Sequence, residues 1–208
     1  MDTLVTKTPG GNGSEIGLQE YLLVAHPDNV VNEKVMVEKK LFTTNYHQKI
    51  AVKTLPHITI ANFLAREEME DTIIRYTQRI CSQQASFNVE LNNYSGFPPS
   101  TIYLRVQNPH PFKVLAKELK VIGNYVKSCS CPSVRFISNP HLTIARRIPE
   151  PLFHEVLMEY SQKAFHETFM VNELVLLRRS HQYDTCKKVH VFRLQPPGYK
   201  PFEHTLFN

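Results

Sequence analysis

The sequence predicts one globular unit of mixed helices and strands built on an internal duplication, and three observations carry that expectation. A six-residue stretch occurs twice. Pro56-His57-Ile58-Thr59-Ile60-Ala61 returns eighty-four residues later as Pro140-His141-Leu142-Thr143-Ile144-Ala145, with Leu for Ile as the one difference. The elements after each copy are nearly equally spaced, thirty residues from His57 to the apolar run at Phe87 and twenty-eight from His141 to the one at Phe169. That spacing argues for a structural repeat, not a chance recurrence of letters. Finally, 208 residues with 42% hydrophobic and 21% charged side chains suit a single domain able to bury a core. The domain is expected over residues 20–195, after a Gly-, Thr-, Asn- and Ser-containing leader over 1–19 and before a proline-bearing tail over 196–208.

Taken in order, Tyr21 to Ala25 reads as a central strand that stops at Pro27-Asp28. Asp28 can cap the helix that follows, where Val31, Val35 and Leu41 with Phe42 make an apolar stripe. The first repeat is a buried strand. The segment after it is acidic early (Glu67, Glu68, Glu70, Asp71) and basic late (Arg75, Arg79), which complements a helix dipole, and Met69, Ile73, Tyr76 and Ile80 are its expected buried face. Phe87 to Leu91 and Thr101 to Val106 read as a hairpin around a Gly- and Pro-containing loop. Phe112, Leu115, Leu119, Ile122 and Val126 mark one helix. After the second repeat, Pro149 and Pro151 suit the opening of a helix. Phe169 to Leu177 and Val189 to Leu194 then read as a closing hairpin with His181 to Lys188 at its tip.

Strand period two assigns faces. His57, Thr59, Ala61 and Phe63 share one, and His141, Thr143 and Ala145 match them, so each copy sends an imidazole and a hydroxyl the same way. Two half-sites facing one cleft are expected. Two histidines so placed are suited to cleaving a phosphodiester without a metal. A neutral imidazole accepts a proton from the attacking water or hydroxyl, and a protonated one donates to the departing oxygen. The threonine hydroxyls can hydrogen-bond the non-bridging phosphoryl oxygens. The net charge of +5 favours anionic partners but does not select one. Cys81, Cys129, Cys131 and Cys186 form no zinc pattern and read as free thiols. No secretory signal and no apolar run long enough to span a membrane is visible, so a cytoplasmic location is expected.

The paired His-x-Thr strands resemble the two-histidine phosphoesterase superfamily, and within it the bacterial RNA 2',3'-cyclic phosphodiesterases, historically called 2'-5' RNA ligases. The resemblance runs from about Tyr21 to Leu194. It includes Arg146, five residues past the second histidine, Gly96-Phe97-Pro98 followed by Ile102-Tyr103-Leu104, and Glu173 to Ser180 as the last hairpin. It implies an α+β, bilobal, pseudo-symmetric fold with antiparallel sheets around a central groove and helices outside. It also implies catalysis by His57, Thr59, His141 and Thr143, with His57 as acid and His141 as base. Substrate contacts are expected from Arg146, Phe97 and Tyr103, no cofactor or metal is required, and the substrate is RNA or a nucleotide bearing a cyclic phosphate. No obligate protein partner is evident and a monomer is expected.

Two departures stand beside the match. Thr101 occupies a place where relatives often carry arginine. Strict parity turns Arg146 away from His141, so that a bulge or strand end is needed for it to reach phosphate. Tyr21 could stack a base or pack in the core. Arg178, Arg179, Lys187, Lys188 and Arg193 could receive an RNA backbone or form a solvated edge. The substrate could instead be a 2',5'-oligonucleotide or an ADP-ribose cyclic phosphate, and a binding module without turnover is the alternative from another class.

Overall fold

A computed structural model describes residues 17–48, 51–180 and 184–200. Nearly all of the expected leader, residues 201–208 of the tail and 181–183 of the last hairpin lie outside the described residues. The first strand, β1, spans Leu18–Ala25. Asp28 caps α1 (Asn29–Tyr46), its carboxylate accepting from the Val31 amide at 2.9 Å. The repeat strand β2 spans Ile58–Arg66 and leads into α2 (Glu70–Cys81). The hairpin of β3 (Phe87–Phe97) and β4 (Thr101–Val106) follows, then α3 (His110–Glu118) and α4 (Lys120–Ser128). The short β5 (Arg135–Phe136) precedes the second repeat strand, β6 (His141–Ala145). The chain closes with α5 (Glu150–Ser161), β7 (His166–Val171), β8 (Glu173–Arg179) and β9 (Lys187–Arg193).

The described strands make one antiparallel sheet in the order β7-β3-β4-β6-β2-β1-β8-β9, with β5 beside β2. The order reads as two four-stranded halves, β6-β4-β3-β7 and β2-β1-β8-β9, joined where the repeat strands meet at Ile58 and Leu142. This is the expected pseudo-symmetric fold, with the two sheets merged through that junction. Helices cover one face. Helices α1 and α5 pack on the half that contains β6, α2 and α3 on the half that contains β2, and α4 against α2 and α3. Apolar residues meet there: Phe42 and Tyr94 lie 5.7 and 4.9 Å from Tyr160, and Phe87 lies 5.1 Å from Phe112. Among the described residues no helix is long and apolar enough to cross a membrane, and all four cysteines are free thiols.

Three expectations change. The single helix through Phe112 and Val126 is two, broken at Leu119. There the Ile122 amide donates to Leu119 O at 3.0 Å, a tighter three-residue link, and Leu119 itself stays fully buried. The run Phe169 to Leu177 is also two strands. Asn172 is a crossing point between halves: β7 pairs with β3, while β8 pairs with β1. In α2 the buried face is Met69, Ile73, Thr77 and Cys81, while Tyr76 lies at the margin of that face, part-exposed and edge-on to Tyr125 of α4 at 5.8 Å.

Gly96 stands under α5, where an added Cβ would lie 2.9 Å from Leu157 Cδ1 and 3.0 Å from Phe153 Cζ. The glycine of the Gly-Phe-Pro motif therefore serves the close approach of helix to sheet. Gly96→Val is expected to lower stability by about 1–3 kcal/mol. The check is a lowered urea midpoint at unchanged m value.

Candidate active site

Each histidine stands at the entry of its strand and is fixed the same way. His57 Nδ1 lies 2.7 Å from Leu55 O, and His141 Nδ1 lies 2.8 Å from Asn139 O, in each case the carbonyl two residues upstream. A carbonyl only accepts, so Nδ1 carries the hydrogen in both rings and Nε2 is left with its lone pair. The antiparallel junction at Ile58 and Leu142 sets His57 level with Thr143, and Thr59 level with His141. All four side chains point away from the buried Ile58 and Leu142, toward the face without helices.

Past each threonine the ladder skips a residue. Leu23 pairs with Ala61 but Val24 with Thr59, which leaves Ile60 as an extra residue. Ile102 pairs with Ala145 but Tyr103 with Thr143, which leaves Ile144. The same β-bulge thus follows each His-x-Thr and reverses the parity beyond it. Ala61, Phe63 and Ala145 accordingly join the buried face, contrary to strict alternation, and Asn62 and Arg146 take the outward one. The bulge that Arg146 needed is present.

The two residues five positions past the histidines both relate to Glu20. Asn62 Nδ2 donates to Glu20 Oε1 at 2.7 Å, and Arg179 Nε donates to Glu20 Oε2 at 2.7 Å. Burial pushes the Glu20 carboxyl up, but those two bonds and the charges of Arg179 and Arg146 outweigh it and hold it below the usual carboxylate range. Arg146 is half-buried and, among the described residues, makes no hydrogen bond or ion pair. Burial and the charges of Arg179 and Arg147 disfavour its cation, and Glu20 opposes them.

Both imidazoles are hard to protonate. Burial pushes His57 down; the bond to Leu55 acts against it, and the charges of His26, Lys39 and Arg146 reinforce it, to about 4. The ring keeps an accessible edge although protein nearly surrounds it. His141 is lowered by burial and by Arg135, against the bond to Asn139.

The aromatic pair lies beside the second histidine. Phe97 stacks on Tyr103 with centroids 4.2 Å apart and planes 23° from parallel, and the two rings lie 4.8 and 5.1 Å from that of His141. Next to Thr59 the matching cross-strand position is aliphatic Val24. Tyr21 is core, stacked on Phe63 at 5.3 Å with its hydroxyl bonded to Glu70. Arg178 is committed to Glu67 and Glu70 on the helical side, while Lys187, Lys188 and Arg193 are exposed on the edge strand. Sequence reasoning passed over His26, whose ring stands edge-on to His57 at 6.1 Å. It also passed over Lys39, although a lysine within the stripe Val31, Val35, Phe42 is the signal that could have found it.

A sequence profile of the 2'-5' RNA ligase superfamily matches residues 28–182. The chain belongs to that superfamily. Its members are two-histidine phosphoesterases, and membership supports phosphodiesterase chemistry at that general level. No curated protein sequence gives a significant match. Among solved structures, TT0787 of Thermus thermophilus is similar at a TM-score of 0.62 and 16% identity, over 85% of this chain and 98% of that one. E. coli LigT complexed with 3'-AMP is similar at 0.61 and 15%, over the same shares, and its apo form at 0.59 and 14%, over 86% and 99%. At these identities the likeness is one of fold alone.

The lowered imidazoles tie stability to pH. An unfolded histidine has a pKa of about 6.5, so between there and about 4 the unfolded chain binds more protons than the folded one. Stability should fall on acidification through that window. Thermal midpoints against pH should show this slope, and His57→Gln should flatten it; an unaltered slope would contradict the assignment.

Proposed function

We propose that the protein hydrolyses 2',3'-cyclic phosphate ends of RNA or nucleotides to 2'-phosphates, without a metal, through His57, Thr59, His141 and Thr143. The observation that carries this reading is the matched pair of imidazoles, each with Nδ1 tied to its own backbone and a free Nε2 beside the threonine of the opposite strand. One Nε2 takes a proton from water as its oxygen bonds to phosphorus. The bond from phosphorus to the 3'-oxygen breaks, and the other imidazole, protonated, gives its Nε2 proton to that oxygen. The two threonine hydroxyls donate to the non-bridging oxygens. Arg146 offsets the phosphate charge, and Phe97 with Tyr103 offers a stacking face for the base beside His141.

His57 is the acid in this reading and His141 the base. Because His57 gives up its proton readily in the free protein, its charged form depends on the substrate. A phosphate anion placed beside Arg146 and His57 cancels part of the positive field that Arg146 and the buried Lys39 exert and raises the imidazole's proton affinity.

A phosphorus NMR time course on 2',3'-cyclic nucleotides with EDTA present should show a single 2'-phosphate product. His57→Ala and His141→Ala should each lose about 10²–10⁴ in rate. Conversion that survives both substitutions would overturn the mechanism, and failure on every cyclic and 2',5'-linked phosphodiester would favour a binding module. A second measurement separates the roles. With a leaving group that needs no proton, such as 4-nitrophenolate, His57→Ala should recover turnover and His141→Ala should not; the opposite pattern would exchange acid and base.

A further inference from the structure

Three successive carbonyls lead into His57, and a side chain holds each of them. Lys39 Nζ donates to Thr54 O at 3.0 Å, and also to Ala51 O at 3.2 Å and Thr54 Oγ1 at 3.4 Å. His57 Nδ1 donates to Leu55 O, and His26 Nδ1 donates to Pro56 O at 2.8 Å. The donors come from α1, from the entry of β2 and from the end of β1. Lys39 is 2% exposed and none of its hydrogen-bond partners is a carboxylate, yet its three N–H groups have three acceptors. An ammonium buried on neutral acceptors is an unfavourable way to hold a loop, tolerated where the loop must be held.

The duplicated site lacks this arrangement. His141 bonds to Asn139 O, but among the described residues no side chain bonds to the carbonyls of Ser138 or Pro140. Packing of Phe97 and Tyr103 against its ring takes the place of such bonds. At the first histidine, the ring of His26 stands edge-on to that of His57 while its Nδ1 holds the carbonyl of the residue before His57.

We propose that His26 and Lys39 are positioning residues that clamp residues 54–56 so that Nε2 of His57 is held in its productive direction. The inference rests on the catalytic reading above. Neither residue touches the reacting atoms; both act through the backbone that carries His57. Small displacements of a reacting group cost rate steeply, so loosening this segment reduces kcat more than it alters KM.

Four full-length proteins test it: the parent, His26→Leu, His26→Asn, whose amide nitrogen can replace Nδ1 as donor, and Lys39→Met. Thermal melting establishes that each is folded. Nitrogen-15 NMR of the substrate-free proteins should find His57 as the Nδ1–H tautomer in the parent and in His26→Asn, and as a tautomer mixture in His26→Leu and Lys39→Met. With a 2',3'-cyclic nucleotide, kcat should fall about 10- to 100-fold in His26→Leu and Lys39→Met, with KM within about twofold of the parent. His26→Asn should recover most of the loss. A His26→Leu protein that melts like the parent and keeps both its tautomer and its kcat would overturn the proposal, even if Lys39→Met fails to fold. Altered tautomers with a parent that turns over no cyclic nucleotide would uphold the clamp and refute the catalytic reading. An active parent with unaffected variants would refute the clamp alone.

Discussion

The structure turns on one antiparallel contact, the pairing of Ile58 with Leu142. Helices cover both halves of the sheet on the same face, one continuous core lies beneath them, and this pair joins the two halves through the ladder. An antiparallel junction between identical motifs exchanges their ends. The histidine of one strand therefore comes level with the threonine of the other, and a tandem repeat in sequence becomes a composite site with a pseudo-twofold axis through its centre. Neither strand could build that site with a copy of itself placed anywhere else in the sheet.

The duplicated bulges at Ile60 and Ile144 make the junction useful. A strand that alternated strictly would point the residue five past each histidine into the core. One extra residue in each ladder turns that position outward while Ala61 and Ala145 stay under the sheet. From there the copies diverge. Asn62 is drawn into the Glu20–Arg179 network, whereas Arg146 keeps a guanidinium that no acid among the described residues pairs with directly. Around the histidines the contrast is as strong. His57 is packed among His26, Lys39 and backbone carbonyls, His141 among aromatic rings. A symmetric scaffold thus gives its two imidazoles different surroundings, which acid–base chemistry needs if one group is to donate as the other accepts.

Much of this was legible in the residues. Two His-x-Thr copies at matched spacing pointed to paired strands and to the four groups of the candidate site. In the stripe expected of α1, Val31, Val35 and Phe42 told which face is buried, because apolar periodicity is a local record of burial, while Leu41 beside Phe42 stays exposed. Asp28 as a cap was equally local. Periodicity failed where a segment served two surroundings at once. Phe169 to Leu177 is apolar but for Asn172-Glu173, and that polar pair does not say that the chain passes from one half to the other there, since both halves demand the same residue types of their strands.

The sequence by itself determined the duplication, the elements and the chemical groups, because each depends on residue type and short-range period. Only the tertiary structure decided which groups meet. A bulge is a property of two strands in register and leaves no signature in either one. Lys39 and His26 reach the carbonyls before His57 only because α1 and the end of β1 converge on that turn from distant parts of the chain. The proton affinity of an imidazole is set by what surrounds it in space, so two histidines within matching hexapeptides acquire different environments once the halves are packed.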